Sequence, residues 1–177
     1  MVVFRGRLFG RSCRKTETDT VCVHASPIMD RLTPEERSKN MAAIHNKNTK
    51  PEVYMRKLLF SKGYRYRIGS PNVEGHPDIY MAKYNTAIFV NGCFWHRHAG
   101  CKYAYTPKSR IDFWNHKFEM NIQRDAVVHE QLKISGIKCL VIWECTIRQM
   151  TKDPLFQFSI LDQIDHFLDS TGLYLEL

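Results

Sequence analysis

Between Ala87 and Cys101 the chain reads Ala-Ile-Phe-Val-Asn-Gly-Cys-Phe-Trp-His-Arg-His-Ala-Gly-Cys. An apolar, β-like run ends at Asn91-Gly92, and Cys93, Phe94, Trp95, His96, His98 and Cys101 follow within the next nine residues. Soft metal ligands, a proton carrier and stacking surfaces are thus concentrated at one strand end, which packing alone does not require.

Cys93, His98 and Cys101 are spaced C-x4-H-x2-C. A fourth ligand, Cys145, comes just past the apolar run Lys138 to Trp143. If that run is a strand parallel to the one ending near Val90, both finish at the same sheet edge, and Cys145 meets Cys93. Three thiolates and one imidazole suit tetrahedral, structural zinc. Cys139, at the start of that strand, belongs to the opposite edge. The plainer alternative is a set of small buried residues, since free cysteine is often buried.

His96 stands two residues before His98 and so points elsewhere, free to face a carboxylate and move a proton near neutral pH. Asp78 is the candidate. The turn Lys83-Tyr84-Asn85 is centred midway between Asp78 and Val90, which sets them opposite one another in a hairpin. Asp78 reads either as a magnesium ligand, because hard cations prefer carboxylate oxygen, or as an ordinary turn residue. Glu52 is explained by helix capping alone, and Asp125 borders an apolar helix stripe or sits on its solvated flank. Phe94, Trp95 and Trp114 lie among Arg97, Lys102, Lys108 and Arg110. Aromatics so placed stack on or wedge between bases while cations meet phosphates; for Trp114 core packing is the alternative.

The elements that must hold these groups follow from pattern. Thr33-Pro34-Glu35-Glu36 is a capping box opening a helix to about Ile44, and Thr49-Lys50-Pro51-Glu52 is a second. The second helix turns Val53, Met55, Leu58 and Leu59 inward and stops at Gly63. Tyr64 to Ile68, Pro77 to Ala82, Thr86 to Val90 and Lys138 to Trp143 read as strands, with residues 102–110 a basic loop. Asp112 to Ser135 is a long helix with Trp114, Phe118, Ile122 and Leu132 on its stripe, and Leu155 to Leu168 is a closing helix. Strand, long helix, strand is a parallel crossover. The fold class is therefore α/β, a mixed sheet flanked by helices.

The 177 residues suit one domain. The net charge of +8 favours an anionic partner; residues 1–28 hold +3 of it, with five cations and two anions. That segment is expected to be a disordered extension of a single domain over 29–177, with Met29 an alternative start. Arg5, Arg7 and Arg11 interrupt every apolar stretch near the start, so no secretory signal is read there, and six cysteines in a reducing compartment point to metal. No apolar run approaches the ~20 residues that span a bilayer.

Thr49 to Glu52, Gly75-His76-Pro77-Asp78, Phe89 to His96, Phe113-Trp114, Asn121 to Asp125 and Val141 to Cys145 resemble, in order and spacing, the very-short-patch repair (Vsr) endonucleases. The likeness runs from about Arg37 to Cys145. It implies a restriction-endonuclease-like core and an enzyme that nicks one strand of double-stranded DNA 5′ to the thymine of a T·G mismatch left by deaminated 5-methylcytosine. By the same resemblance, Asp78 and the Val90 carbonyl hold magnesium, and His96 is the catalytic histidine. Glu52 and Asp125 hold metal-bound water and orient the site. Cys93, His98, Cys101 and Cys145 bind structural zinc. Phe94, Trp95 and Trp114 enter the DNA beside the mismatch, and Met41 intrudes from the minor groove.

The wider restriction-like superfamily carries an acid-x-Lys pair on the second hairpin strand, where this chain has Phe89-Val90-Asn91. The water must then be activated by His96 and the metals, as in the Vsr group. A monomer in the bacterial cytoplasm, associated with the nucleoid and working beside other mismatch-repair proteins, is expected. Two other readings remain open at this point: a non-catalytic zinc module that binds DNA, and a restriction-type enzyme that cuts paired DNA.

Overall fold

The computed structural model describes residues 33–43 and 47–177. The expectations for residues 1–28, for Met29 and for a first helix reaching Ile44 fall outside them. Helix α1 (Pro34–Ala42) starts at the full capping box of Thr33 and Glu36. Next come α2 (Lys50–Ser61), β1 (Ile79–Met81), one 3-10 turn (Ala82–Tyr84), β2 (Thr86–Asn91), α3 (Ile111–Ile134), β3 (Lys138–Trp143), α4 (Glu144–Met150), α5 (Pro154–Asp169) and β4 (Tyr174–Glu176). Asp153 caps α5 by accepting the N–H groups of Leu155 and Phe156.

The sheet order is β1-β2-β3-β4. β1 runs antiparallel to β2, while β2–β3 and β3–β4 are parallel. Alternation sorts the two faces. Ile88, Leu140 and Ile142 join Met55 and Leu59 of α2, Ile147 and Met150 of α4 and Ile160 and Ile164 of α5 in one core. Ala87, Cys139, Val141 and Trp143 form the other, with Leu132 of α3. Strand β3 is covered on both sides, as a central parallel strand requires. Removing Leu140 to alanine there should cost about 2–5 kcal/mol.

The mixed sheet flanked by helices matches the sequence reading, with three differences. Tyr64 to Ile68 is not a strand; only Arg67 bridges to Tyr80, because Gly69 and the turns that follow end the extended run. The hairpin register is shifted by one: Ile79 faces Ile88, so Asp78 falls level with Phe89 rather than Val90. The reason is the loop, in which the 3-10 turn is closed by Asn85 in the left-handed region (φ 47°) and the turn's centre moves half a residue toward the N-terminus. Helix α4 and strand β4 were not anticipated. No described helix is long and apolar enough to cross a membrane.

Candidate active site

Asn91 pairs with Trp143 at the last rung of the β2–β3 ladder. The segments leaving both strands therefore emerge together, and Cys145 sits in the first turn of α4. One ligand atom each from Cys93, His98, Cys101 and Cys145 lies within 4.8 Å of the others. His98 Nδ1 is 3.2 Å from Cys145 Sγ and 3.7 Å from Cys93 Sγ. The imidazole lies flat on Trp143, with centroids 4.2 Å apart and planes 1° from parallel. Burial raises the Cys93 thiol well above its ordinary value; a cation among the sulfurs would reverse that. Three soft donors and one imidazole converging this closely can hold a tetrahedral ion of the zinc type. Cys139, at the other end of β3, is not among them.

On the neighbouring side of the strand ends a cleft of about 830 Å³ is lined by Glu52, Asp78, His96 and Asp125, with Trp95 and Met41 on its walls. The Asp78 carboxylate accepts the Val90 N–H at 2.8 Å. In an extended strand the N–H and C=O of one residue leave on the same side, so the Val90 carbonyl also faces the β1 edge, beyond the last β1 rung. Burial pushes Asp78 up to about 6; the Val90 N–H pulls the other way and the charge of Glu52 adds to the rise. A carboxylate desolvated beside a second carboxylate is an environment that a hard cation would relieve. The approach to Asp78 is tight. Gly75 has φ +77°, and a Cβ there would lie 2.3 Å from Val128 Cγ1 of α3.

His96 and His98 diverge because Arg97 between them is left-handed (φ 56°). Contrary to expectation, the direct partner of His96 is Asp125, with Nδ1 2.5 Å from Oδ2; Asp78 shares only the cleft. The reason lies in α3. Its inward line is Trp114, Phe118, Asn121, Asp125, Val128 and Leu132, at steps of three and four. Asp125 is thus on the stripe itself, and Ile122, expected there, is 48 % exposed. Asn121 donates to the Trp95 carbonyl at 2.9 Å, tying the same helix face to the loop that carries His96.

Glu52 is 4 % exposed and is more than a cap. The Thr49 hydroxyl accepts no helix N–H; it donates to Glu52 Oε1 at 2.7 Å. Oε2 takes the Asn48 N–H at 2.8 Å and Arg56 Nη2 at 2.9 Å. The second capping box is therefore not formed as expected, because the acid turns its acceptors to the preceding loop and to Arg56. The sequence signal for Arg56 is the i,i+4 Glu–Arg spacing alone. His129 and Glu144, which no motif marks, also line the cleft; burial lowers His129 from its ordinary value.

Phe94 is the hub of the aromatic group, with Trp95, Trp114 and Phe118 edge-on at 5.1, 5.3 and 5.1 Å. Trp114 lies against Phe118 at 5.7 Å, and the Arg97 guanidinium caps the Phe118 ring at 4.5 Å. Phe94, Trp95 and Trp114 are each half-buried, so packing and outward reach are both served. Met41, on α1, is 41 % exposed.

Residues 29–102 match the family model described as DNA mismatch endonuclease Vsr. The type II nicking enzyme V.NmeAIP of Neisseria meningitidis is 44% identical over 119 residues, covering 67% of this chain and 84% of that protein. The type II nicking enzyme V.XorIIP of Xanthomonas oryzae pv. oryzae is 41% identical over 121 residues, 68% of this chain and 88% of its own. The DNA mismatch endonuclease Vsr of Escherichia coli is 36% identical over 136 residues, 77% and 85% of the two chains.

Proposed function

The chain belongs to the Vsr family of DNA mismatch endonucleases and is an endodeoxyribonuclease; from that premise we propose that it nicks one strand of double-stranded DNA, 5′ to the thymine of a T·G mismatch, by magnesium-dependent hydrolysis. The observation that carries this reading is the meeting of Asp78, Glu52 and the His96–Asp125 pair in one cleft walled by Trp95 and Met41.

The donors fit the ions the family implies. Cys93, His98, Cys101 and Cys145 would hold a structural zinc that pins the 92–101 loop to α4. Asp78, with the Val90 carbonyl, would hold magnesium, which when bound supplies positive charge to the scissile phosphate. The other steps belong to the chain. A carboxylate offers only acceptors, so Asp125 keeps the hydrogen of His96 on Nδ1 and leaves Nε2 to take a proton from the attacking water. Glu52 orients water on the Asp78 side of the cleft. Phe94, Trp95 and Trp114 wedge into the duplex while Met41 enters from the minor groove. A wobble pair is poorly stacked, so opening it costs less than opening a matched step, and the mismatch is read as deformability.

On this reading the sheet is the restriction-endonuclease-like core, 29–177 is the working domain behind an extension at 1–28, and the enzyme acts as a monomer on bacterial nucleoid DNA in the cytoplasm, alongside other mismatch-repair proteins. The non-catalytic module is set aside by the nicking activity in the relatives' names. Duplexes end-labelled on either strand, matched or bearing T·G, incubated with and without magnesium, test the proposal. Scission of the T strand of the mismatched duplex alone, with magnesium only, is expected. Cleavage of both strands of matched DNA would replace it with the restriction reading.

A further inference from the structure

We propose that Arg56 is the positioning residue for Glu52, tying its carboxylate and the segment at residues 48–49 into one unit that faces Asp78. The inference rests on the reading of Glu52 as part of the incision site.

Arg56 lies one helical turn after Glu52 on α2 and is 9 % exposed. Its two terminal nitrogens go to different partners. Nη2 meets Glu52 Oε2 at 2.9 Å, and Nη1 meets Asn48 Oδ1 at 2.6 Å. Asn48 in turn gives its own N–H to Glu52 Oε2, and Thr49 gives its hydroxyl to Oε1. The three residues close a ring of hydrogen bonds around one carboxylate. Tyr66 anchors the helix end of this ring by donating to the Arg56 carbonyl at 2.8 Å.

A buried ion pair is a poor device for stability, since desolvation offsets most of the attraction and well-packed apolar side chains usually do as well. Its use must lie in what it orients. Only the planar fork of arginine spans Glu52 and Asn48 at once; a lysine would reach one of them. Asn48 is held at φ 56°, a conformation with a local cost that the ring's bonds offset. The charges also bear on Asp78, where Glu52 and Arg56 act in opposite senses. Without the guanidinium the repulsion between the two carboxylates across the cleft would be unopposed, and Glu52 would keep only the Asn48 N–H and the Thr49 hydroxyl.

The test uses the full chain with R56M, R56K, E52Q and E52Q/R56M. Three quantities are measured: the single-turnover nicking rate on a T·G duplex in magnesium, the Kd for uncut duplex in calcium, and hydrogen exchange of the Asn48 amide without metal. R56M should slow nicking by about 10- to 100-fold with Kd nearly unchanged, and should speed Asn48 exchange. R56K should recover part of the rate. E52Q/R56M should be no slower than E52Q, because a residue acting through Glu52 has nothing left to position. Additive losses in the double variant, an unchanged Asn48 amide, or wild-type nicking by R56M would overturn the inference. If R56M does not fold, wild-type nicking by R56K overturns it equally. Nicking retained by D78N would remove the reading of the cleft and this inference with it, whereas D78N inactive beside an additive double variant would remove the inference alone.

Discussion

His96 Nδ1 and Asp125 Oδ2 face one another at 2.5 Å, across 29 residues of sequence, from a loop and a helix that share no ladder. The pair fixes which imidazole nitrogen carries the hydrogen, and it is available because Asp125 sits on the inward line of α3 with Phe118 and Leu132.

Replacing Asp125 with asparagine keeps the size but introduces a donor, which favours the wrong imidazole tautomer. Single-turnover nicking should fall by about a hundredfold to ten-thousandfold, with duplex affinity in calcium retained. A loss below tenfold would show that the pair does not set the proton on His96.

Asp78 carries a stability cost with a definite sign. Its folded value of about 6 lies above the ordinary 3.8, so the native state binds more protons than the unfolded chain in that window. The associated stabilisation is complete below about 4 and is lost as pH rises through about 6. Metal-free D78N should therefore be more stable than wild type at pH 7.5, by on the order of 2 kcal/mol, with the advantage gone near pH 4. Denaturant titrations at the two pH values check this. A wild-type chain equally stable relative to D78N at both would contradict it.

The four-ligand cluster should carry one zinc per chain. C145S is expected to lower zinc content by elemental analysis and to destabilise the fold by several kcal/mol, on the order of 10 °C in Tm. Full zinc content in that variant would remove Cys145 from the set. Chelation of wild type should lower Tm in the same direction.

Gly75 is a position where a methyl group has no room. G75A should cost about 1–3 kcal/mol from its positive φ and from contact with Val128. Adding V128A should restore the larger contact part, leaving the backbone part and the closer fit against Phe89. Thermal melts of wild type, G75A, V128A and the double variant separate the two, and an unchanged Tm in G75A would show that the loop before Asp78 relaxes freely.

Strand β3 was legible to its ends, Lys138 to Trp143, because a run buried on both faces writes itself as continuous apolar sequence. The four-ligand cluster was legible for a topological reason: parallel strands ending together bring Cys145 to Cys93. The hairpin register was not, since a 3-10 turn closed by a left-handed asparagine shifts pairing by one residue without altering composition. The partner of His96 was hidden for a similar reason. Asp125 looked like a flank residue while Ile122 was counted on the stripe; the true line runs through Asn121 and Asp125, polar residues at buried helical spacing. Arg56 was masked by its neighbour, as a complete capping motif at Thr49 to Glu52 left the carboxylate with no visible need of another partner. Helix α4 follows β3 without a loop, so no turn residue announced it.

The most direct measurement is the single-turnover rate of D78N on an end-labelled T·G duplex in saturating magnesium, beside its affinity for the same duplex in calcium. Withdrawing the carboxylate proposed to hold the cation should forfeit several kcal/mol at the transition state, a loss of about a thousandfold or more, while affinity stays within about threefold, a free-energy change under 1 kcal/mol. Nicking within tenfold of wild type would contradict the assignment of this cleft as the place where the strand is cut.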